Sequence, residues 1–576
     1  MLDICRPTEA VNISDQEGQN PREAHNMLIS ATRNQLLDIA VLVIIYVISI
    51  LIVNPLGDFP LNDDWSYARA VKGLVEYGDW RPTGWTGTPL ITQSLWGAIF
   101  CVPGGFSFNA LRFSTLILAV LGVVGVYILF VTNSRQRLLA GTAALTLGFN
   151  PIYYELSFTF MTDIPFTALA ILSSIFFVRC VRRLSYLDLL IACVLAAAAT
   201  LCRQLGLFLP LAFAVALGMQ RGFATRWLPR AILPSMVPAI LPSIVCVAAL
   251  MVFLHWMRVT GRTPALYGMS AAAGSLSIET IDSRADTAFL YLGLFCLPIL
   301  LLGSGNRRLN TNNAILRVLP ALLGGVFALL SIYFSFSLLE RWMPISGNIL
   351  IPQGLGPISI AGHPEKLPPL FWGIVTMLSV IGGTLLVREL VASSLVLVQK
   401  IRIFDMKAED VIQIFFLTAV GAYALPILVN GFYDRYLVPL VPFLLYLSAP
   451  ELPRRDFGAT IRKSASVAIV IFTAAFAVLG TRDFLAWNRV RWEALTELKG
   501  TAGVSAHDID GGFEYIGWFL YDTIHLDNST EIFSIKNAKY RIAFAEISGF
   551  KVVKQYEYFN WMPLKPRTIF VLKRDT

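Results

Sequence analysis

Apolar runs long enough to cross a membrane recur along most of this 576-residue chain. A helix rises about 1.5 Å per residue, so about 18 to 20 apolar residues cross roughly 30 Å of hydrocarbon. Only 15% of the residues are charged, whereas a soluble domain usually has about 25%. The sequence therefore predicts an all-α polytopic membrane protein, in which most side chains face lipid or other helices.

The apolar runs predict about thirteen transmembrane helices. Their boundaries carry an error of a few residues, and the third span is short. The predicted spans are 36–54, 109–131, 139–149, 163–178, 188–202, 205–219, 231–257, 287–303, 314–338, 369–387, 411–429, 436–450 and 465–484.

The distribution of Lys and Arg predicts how the chain is oriented. With the N-terminus inside, the inner loops hold about 22 Lys and Arg and the outer loops about 11. We therefore expect a multi-pass protein of the plasma (inner) membrane, with a cytoplasmic tail over 1–35 and the C-terminus outside. The net charge of +8 does not indicate nucleic-acid binding, because no basic cluster alternates with aromatic residues.

Outer loops and a C-terminal domain complete the predicted organisation around a membrane domain over 36–484. In the first outer loop, two weakly amphipathic stretches predict helices along the membrane surface. Beyond 485 the composition is that of a soluble domain, and we predict a small extracytoplasmic α/β domain over 485–576. The outer loops are 55–108, 258–286 and 339–368; the amphipathic stretches lie near 64–76 and 90–101; the C-terminal helix-like stretch is 487–499 and the strand-like runs are 540–545, 551–558 and 568–572.

Two adjacent acids, Asp63 and Asp64, open the first outer loop at the predicted membrane surface. Adjacent helical side chains diverge by about 100°, so the two cannot share one role. One can act as a base while the other serves as a metal ligand, a cap or a structural anchor. Because Asp also favours the N-terminal cap of a helix, a purely structural role is the alternative.

Further polar residues lie at the outer ends of later spans. Asp163 begins the fourth span, where Asp-x-Pro is also ordinary capping chemistry. Arg203, between the fifth and sixth spans, either snorkels to the interface or binds a phosphate. Arg435 and Tyr436 enter the twelfth span, where Tyr is typical of the aromatic belt, but an Asp-Arg pair flanked by Tyr can also hold an anionic head group. His255 ends the seventh span, and a single His is more often structural than a metal ligand.

Taken in order, these motifs resemble those of a known family. They are Asp63-Asp64 with Tyr67, Met161-Thr162-Asp163-Ile164-Pro165-Phe166, Arg203-Gln204, and Asp434-Arg435-Tyr436 with Pro439. Their order and common side are similar to those of the GT-C glycosyltransferases, and the nearest group is the protein O-mannosyltransferase and aminoarabinose transferase branch. The resemblance covers roughly residues 36–450. It implies a membrane glycosyltransferase whose donor is a polyprenyl-phosphate sugar.

The resemblance also implies roles for single residues. The first acid of the Asp63-Asp64 pair corresponds to the catalytic carboxylate of the family, and Asp163 corresponds to its second acid. The residues expected to bind the donor phosphate are Arg203, Arg435, Tyr67 and Tyr436.

One stretch departs from the family pattern. The aminoarabinose transferases have Glu-Lys-Pro in the first loop, serving the metal and the donor phosphate, where this chain has Gly87-Thr88-Pro89. The departure leaves both the sugar and the metal open. If a divalent metal ion binds, Asp64 and His255 are the ligands that the sequence offers beside Asp63.

The residue chemistry fits such a transfer independently. Displacing a lipid phosphate from an anomeric carbon with inversion needs a base on the acceptor hydroxyl, which Asp63 can supply. It also needs cationic help for the departing phosphate, which Arg203 or Arg435 can supply. The acceptor is left open as a lipid, a glycan or a protein.

Two other classes of function compete with the enzyme. A transporter or flippase of a lipid-linked sugar would place ionisable residues in mid-membrane, and such residues are nearly absent from the predicted spans. A non-catalytic component of envelope assembly would use the C-terminal domain as a binding module.

Overall fold

The computed structural model describes residues 21–575 apart from 135, 225–228, 266–277, 304–312, 334, 336–341, 403–405, 450–456, 501–502 and 524–531. Most of the predicted cytoplasmic tail therefore lies outside the described residues, as do parts of the second and third predicted outer loops.

Helices dominate the described part of the chain. The α-helices are α1 (Pro21–Val53), α2 (Asp64–Tyr77), α3 (Ile91–Cys101), α4 (Phe108–Ser134), α5 (Arg137–Gly148), α6 (Pro151–Leu156), α7 (Asp163–Arg183), α8 (Tyr186–Cys202), α9 (Phe208–Ala224), α10 (Pro229–Val259), α11 (Ile278–Gly303), α12 (Ala314–Tyr333), α13 (Pro369–Arg402), α14 (Ala408–Asn430), α15 (Val441–Ser448), α16 (Phe457–Gly500) and α17 (Phe513–Leu520). Short 3-10 helices occupy Gln204–Leu207, Asp434–Leu440, Ala506–Asp508 and Tyr521–Thr523.

The predicted class of polytopic helical membrane protein is confirmed. Among the described residues, ten helices are long and apolar enough to cross a membrane. Each of the thirteen predicted spans overlaps a helix, but α5, α8 and α15 have only 12, 17 and 8 residues. These three are shorter than the roughly 20 residues of a straight crossing, whereas α9 together with the 3-10 helix before it forms a span of 19 residues, Gln204–Gly222.

Two helix ends differ from the prediction. α13 continues to Arg402, through most of the predicted inner loop at 388–410. α16 has 44 residues and runs from the last predicted span to Gly500. The stretch 487–499 is therefore helical, as predicted, and it is continuous with the helix of the last predicted span. Neither segment has an internal Pro, so polar residues alone do not end the helix.

Small residues let some of the membrane helices pack closely. A Cβ at Gly293 in α11 would collide with the backbone of Gly382 and Gly383 in α13. Without a hydrophobic driving force between helices in lipid, such close backbone contact is a main source of helix association. A larger residue at Gly293 would push α11 and α13 apart.

The C-terminal domain contains a four-stranded sheet, in the order β3-β4-β6-β5. The strands are β3 (Ile509–Asp510), β4 (Tyr540–Ala543), β5 (Phe550–Trp561) and β6 (Leu564–Arg574). β3 and β4 are parallel, and the other neighbours are antiparallel. The three predicted strand-like runs correspond to β4, β5 and β6, with β5 and β6 longer than expected.

The first and third predicted outer loops contact this domain. The third contains a short hairpin of β1 (Leu350–Ile351) and β2 (Gly354–Leu355), and Ala361 forms a parallel bridge with Ala543 of β4. In the first, α2 packs against α17, where a Cβ at Gly517 would meet the Trp65 ring. The predicted surface helices are thus present as α2 and α3, and α2 lies under the C-terminal domain.

Candidate active site

A cavity of about 620 Å³ lies where the first and third predicted outer loops meet the turn at 434–440 and the C-terminal domain. It opens beside the ends of several predicted spans. Its lining residues are Asn62, Asp63, Tyr67, Trp85, Gly87, Thr88, Arg203, Asn348, Pro357, Ile358, Ser359, Ile360, Ala361, Tyr433, Arg435, Tyr436, Asp510, Phe513, Glu514, Phe533 and Ser534. The cavity therefore brings together five of the eight predicted site residues, namely Asp63, Tyr67, Arg203, Arg435 and Tyr436.

Asp63 presents its carboxylate to this cavity. It occupies the N-cap position of α2 but makes no side-chain capping bond. Instead, Oδ1 accepts a hydrogen bond from Trp85 Nε1 at 3.0 Å, and Oδ2 accepts one from Arg435 Nη2 at 3.0 Å. The alternative in which Asp63 serves as a helix cap is therefore wrong. Its carboxylate is oriented by one neutral and one charged donor.

Asp64 points away from the cavity into the protein. Its Oδ1 accepts from the Leu61 amide at 2.6 Å, and Oδ2 accepts from the Phe160 amide at 3.3 Å. Burial raises the pKa of the Asp64 carboxyl well above its ordinary value, although these donors oppose the shift. Asp64 therefore anchors the start of α2 to the chain that precedes α7.

The turn that begins at Asp434 binds the third predicted outer loop on one side and lines the cavity on the other. Asp434 is buried and accepts hydrogen bonds from the amides of Asn348, Ile349 and Leu350 at 2.7–3.3 Å. Burial raises the pKa of the Asp434 carboxyl to about 6, against the lowering effect of these amides. Asp434 therefore ties the loop to the turn that carries Arg435.

Arg435 is a buried cation whose hydrogen-bond donors are only partly paired among the described residues. Its side chain is only 7% exposed and donates Nη2 to Asp63. Its Nε and Nη1 atoms are buried and have no hydrogen-bond partner in the described part of the protein. A buried guanidinium with unpaired donors costs free energy unless an anion or water completes it. Because Arg435 lines the cavity, an anion in the cavity would satisfy these donors.

Arg203 supplies a second guanidinium to the same place. Its Nη1 donates to Asp163 Oδ1 at 2.8 Å. The Arg203 and Arg435 guanidinium carbons lie 5.1 and 5.5 Å from the centre of the Tyr436 ring. Both distances are within the range of cation–π attraction. Tyr436 thus holds two cations at one end of the cavity.

Asp163 and Tyr67 have different relations to the cavity. Asp163 is fully buried at the start of α7 and does not line it. Asp163 forms an ion pair with Arg203. Because it does not line the cavity, its position does not indicate contact with the reacting atoms. Tyr67 lines the cavity, and burial raises the pKa of its hydroxyl above the ordinary value. Tyr67 can therefore donate a hydrogen bond at neutral pH.

The predicted metal ligands do not come together. His255 is exposed on α10, and neither His255 nor Asp64 lines the cavity. Over the described ranges, no group of three or more His, Cys, Asp or Glu side chains is placed to hold a metal ion. The described structure therefore gives no support for Asp64 and His255 as a ligand set, and Asp64 instead accepts two backbone amides.

Several lining residues from the C-terminal side were not predicted. Glu514 Oε1 accepts a hydrogen bond from the Asn62 amide at 3.1 Å, and Oε2 accepts one from Arg491 Nη2 at 2.9 Å. Arg491 lies in α16, is fully buried and also donates to Ser359 Oγ at 2.9 Å. No short motif marks these residues. The available signal is the Gly511-Gly512 turn, which precedes Glu514.

Comparison with known proteins supports the predicted resemblance. Residues 88–256 match a family model described as dolichyl-phosphate-mannose-protein mannosyltransferase. These residues, less than half of the chain, are similar to that family. The resemblance to GT-C glycosyltransferases is thereby confirmed, and so is the prediction of a transferase enzyme at the level of this family. The matched stretch includes Asp163 and Arg203, whereas Asp63 and Arg435 lie outside it.

Two solved structures are also similar to this chain. ArnT from Cupriavidus metallidurans, bound to undecaprenyl phosphate, has 14% identity and a TM-score of 0.37, covering 93% of this chain and 97% of that chain. The oligosaccharyltransferase AglB from Archaeoglobus fulgidus, in complex with an inhibitory peptide and a dolichol-phosphate, has 15% identity and a TM-score of 0.44, covering 81% of this chain and 58% of that chain. No curated protein matches the sequence.

Proposed function

We propose that this protein transfers a sugar from a polyprenyl-phosphate donor to an acceptor hydroxyl, with inversion, on the outer face of the membrane. The observation that carries the proposal is the meeting of Asp63, Arg203 and Arg435 in one cavity. A carboxylate beside two guanidinium groups matches the needs of a displacement at an anomeric carbon, in which a proton leaves one oxygen while negative charge develops on another.

The phosphate of the donor would bind at the cationic end. The free Nε and Nη1 of Arg435 form one donor edge, and Arg203 lies on the same Tyr436 ring. Arginine is well suited to phosphate because its planar donors can contact two oxygens at once. Tyr67 adds a neutral hydroxyl that can donate to the same group.

The acceptor hydroxyl would be deprotonated by Asp63. As the acceptor oxygen bonds to the anomeric carbon, the bond from that carbon to the phosphate oxygen breaks. The acceptor proton passes to Asp63, and the polyprenyl phosphate leaves with the charge stabilised by Arg203 and Arg435. The hydrogen bond from Trp85 Nε1 holds the carboxylate in place while this occurs.

The outer location is proposed from the distribution of positive charge. The inner-side loops are richer in Lys and Arg by about twofold, and α7 ends with Arg182 and Arg183 on the side opposite Asp163. The cavity at the other end of these helices would then be extracytoplasmic. A reporter fused after Thr576 should be active outside the cytoplasm, and the opposite result would move the site to the inner face.

Release of the lipid phosphate tests the enzyme reading directly. Purified protein would be incubated with undecaprenyl-phosphate esters of several sugars and with a membrane-envelope extract as acceptor. We expect undecaprenyl phosphate to be released by the wild-type protein and not by Asp63→Asn. Movement of the intact donor across a vesicle membrane, with no release, would instead support the transporter alternative.

A further inference from the structure

The cavity has a second part whose chemistry differs from that of the cationic end. Three aromatic side chains contribute to its lining, namely Trp85 from the first outer loop and Phe513 and Phe533 from the C-terminal domain. Among the described lining residues, the only Arg or Lys side chains are Arg203 and Arg435. The aromatic part therefore suits a neutral ligand better than a phosphate.

The three rings form one contiguous group. Phe513 and Phe533 are stacked, with centroids 5.3 Å apart and an interplanar angle of 19°. Trp85 lies 5.7 Å from Phe513 and 6.3 Å from Phe533. Flat aromatic faces in a cavity bind the apolar C–H faces of a ligand through burial and weak hydrogen bonds.

Polar groups beside the rings offer both donors and acceptors. Ser359 Oγ accepts from Arg491 Nη1 at 2.9 Å, so its own proton is available to a ligand. Ser534 Oγ donates to Asp510 Oδ2 at 2.7 Å, so its lone pairs are available. The charge of Asp510 is paired with Arg541, 3.1 Å away. These groups therefore match neutral hydroxyls, which both donate and accept.

The two parts of the cavity meet at Asp63. Its Oδ1 takes the hydrogen bond from Trp85, and its Oδ2 takes the one from Arg435. A ligand with a phosphate at the arginines and a ring against the aromatic residues would therefore pass directly by this carboxylate.

We propose that Trp85, Phe513 and Phe533, together with Ser359, Asp510 and Ser534, form a subsite for a sugar ring. A sugar ring has apolar C–H faces and an edge of hydroxyls, the two features that these residues complement. The proposal rests on the proposed transferase function and deepens it. The ring belongs either to the donor or to a glycan acceptor, and the chemistry of recognition is the same in both cases.

Binding without turnover tests the subsite. The probes are undecaprenyl phosphate alone and its mannose, glucose and 4-amino-4-deoxy-arabinose esters, with the methyl glycosides of the same sugars in a second arm. The variants are Phe533→Ala and Ser534→Ala. The matched control is Phe559→Ala, which truncates a 46% exposed ring of β5 that does not line the cavity.

In the wild type, a lipid-linked sugar should bind more tightly than undecaprenyl phosphate alone. We expect the subsite variants to reduce this difference in affinity by about two- to tenfold, the effect of one aromatic contact or hydrogen bond. Affinity for undecaprenyl phosphate alone and the behaviour of Phe559→Ala should match the wild type. A loss confined to the lipid-linked sugars assigns the subsite to the donor. A loss confined to the methyl glycosides, measured with undecaprenyl phosphate present, assigns it to the acceptor.

If the variants and the wild type discriminate equally among the sugars in both arms, the proposed subsite is wrong. A wild-type protein that binds none of the lipids would overturn the proposed function, and the glycoside arm would still decide the subsite. The two failures are therefore distinguishable.

Discussion

The two sides of the cavity are built differently. The membrane side takes Asp63, Arg203 and Arg435 from short motifs at helix ends, and the structure brings all three to one place. The C-terminal side depends on contacts between distant residues, such as the bond from the Asn62 amide to Glu514, 452 positions away. Motifs beside helix ends can be found in a sequence, whereas contacts at such separation cannot. We propose a matching division of roles, with the reacting groups on the membrane side and their orientation set by the C-terminal side.

Replacement of the proposed base should have the largest effect. Asp63→Asn removes the proton acceptor with little change in volume, and kcat should fall by about a hundredfold or more. Asp64→Asn should instead lower Tm, because an amide has one acceptor oxygen for the two backbone amides that Asp64 now binds. Single-turnover transfer and thermal unfolding of both variants provide the measurements. A nearly inactive but stable Asp64→Asn beside an active Asp63→Asn would reverse the assignment.

The next largest effect should come from Arg435→Lys. Lysine keeps the positive charge but has no planar fork, so it cannot replace both the bond to Asp63 and the free donor edge. We expect affinity for undecaprenyl phosphate to fall by about ten- to hundredfold, the scale of one or two charge-assisted hydrogen bonds. Titration with the lipid alone measures this without turnover. Wild-type affinity in the variant would place the phosphate elsewhere.

A smaller effect is expected on the C-terminal side, from Glu514→Gln. The amide oxygen can still accept from Asn62, but the buried charge of Arg491 loses its partner. We expect kcat to fall by about tenfold with little change in donor KM, because the side chain that accepts from the Asn62 amide is no longer fixed by Arg491 and the turn before Asp63 is less well positioned. The matched control is Glu497→Gln, which breaks a half-exposed pair with Lys554 in the same region.

The control should remain within about twofold, since exposed pairs contribute little. If both substitutions act equally, the effect of Glu514 is one of general stability. If donor KM changes and kcat does not, Glu514 contacts the substrate and does not position Asp63.

The smallest effect should be that of a chelator. Both oxygens of Asp63 accept N–H donors, and so do both oxygens of Asp64. The groups beside the cavity therefore suit anions and hydroxyls better than a metal ion. We expect EDTA to change the transfer rate by no more than about twofold. Loss of activity with EDTA, restored by one particular divalent ion, would contradict this prediction and show that the carboxylates rearrange around a metal.

The sequence predicted the helical class because periodic apolar runs depend only on local composition. It also predicted Asp63 and Arg435 as candidates, because each follows or precedes a span. It did not distinguish the side-chain directions of Asp63 and Asp64, since these depend on Trp85 and on the Phe160 amide. The length of α16 was missed for a related reason. Polar residues after Gly480 resemble a loop unless the C-terminal domain is known to pack against them.

Arg491 of the C-terminal side lies on the same helix as a membrane span. α16 has 44 residues and so extends about 66 Å, roughly twice the thickness of a hydrocarbon core. Because the helix is continuous, a change in its tilt within the bilayer also displaces Arg491, which binds Glu514 and Ser359. The geometry of the cavity should therefore depend on the thickness of the surrounding lipid bilayer. Reconstitution in lipids of increasing chain length should change the affinity of the cavity for sugars in a graded way.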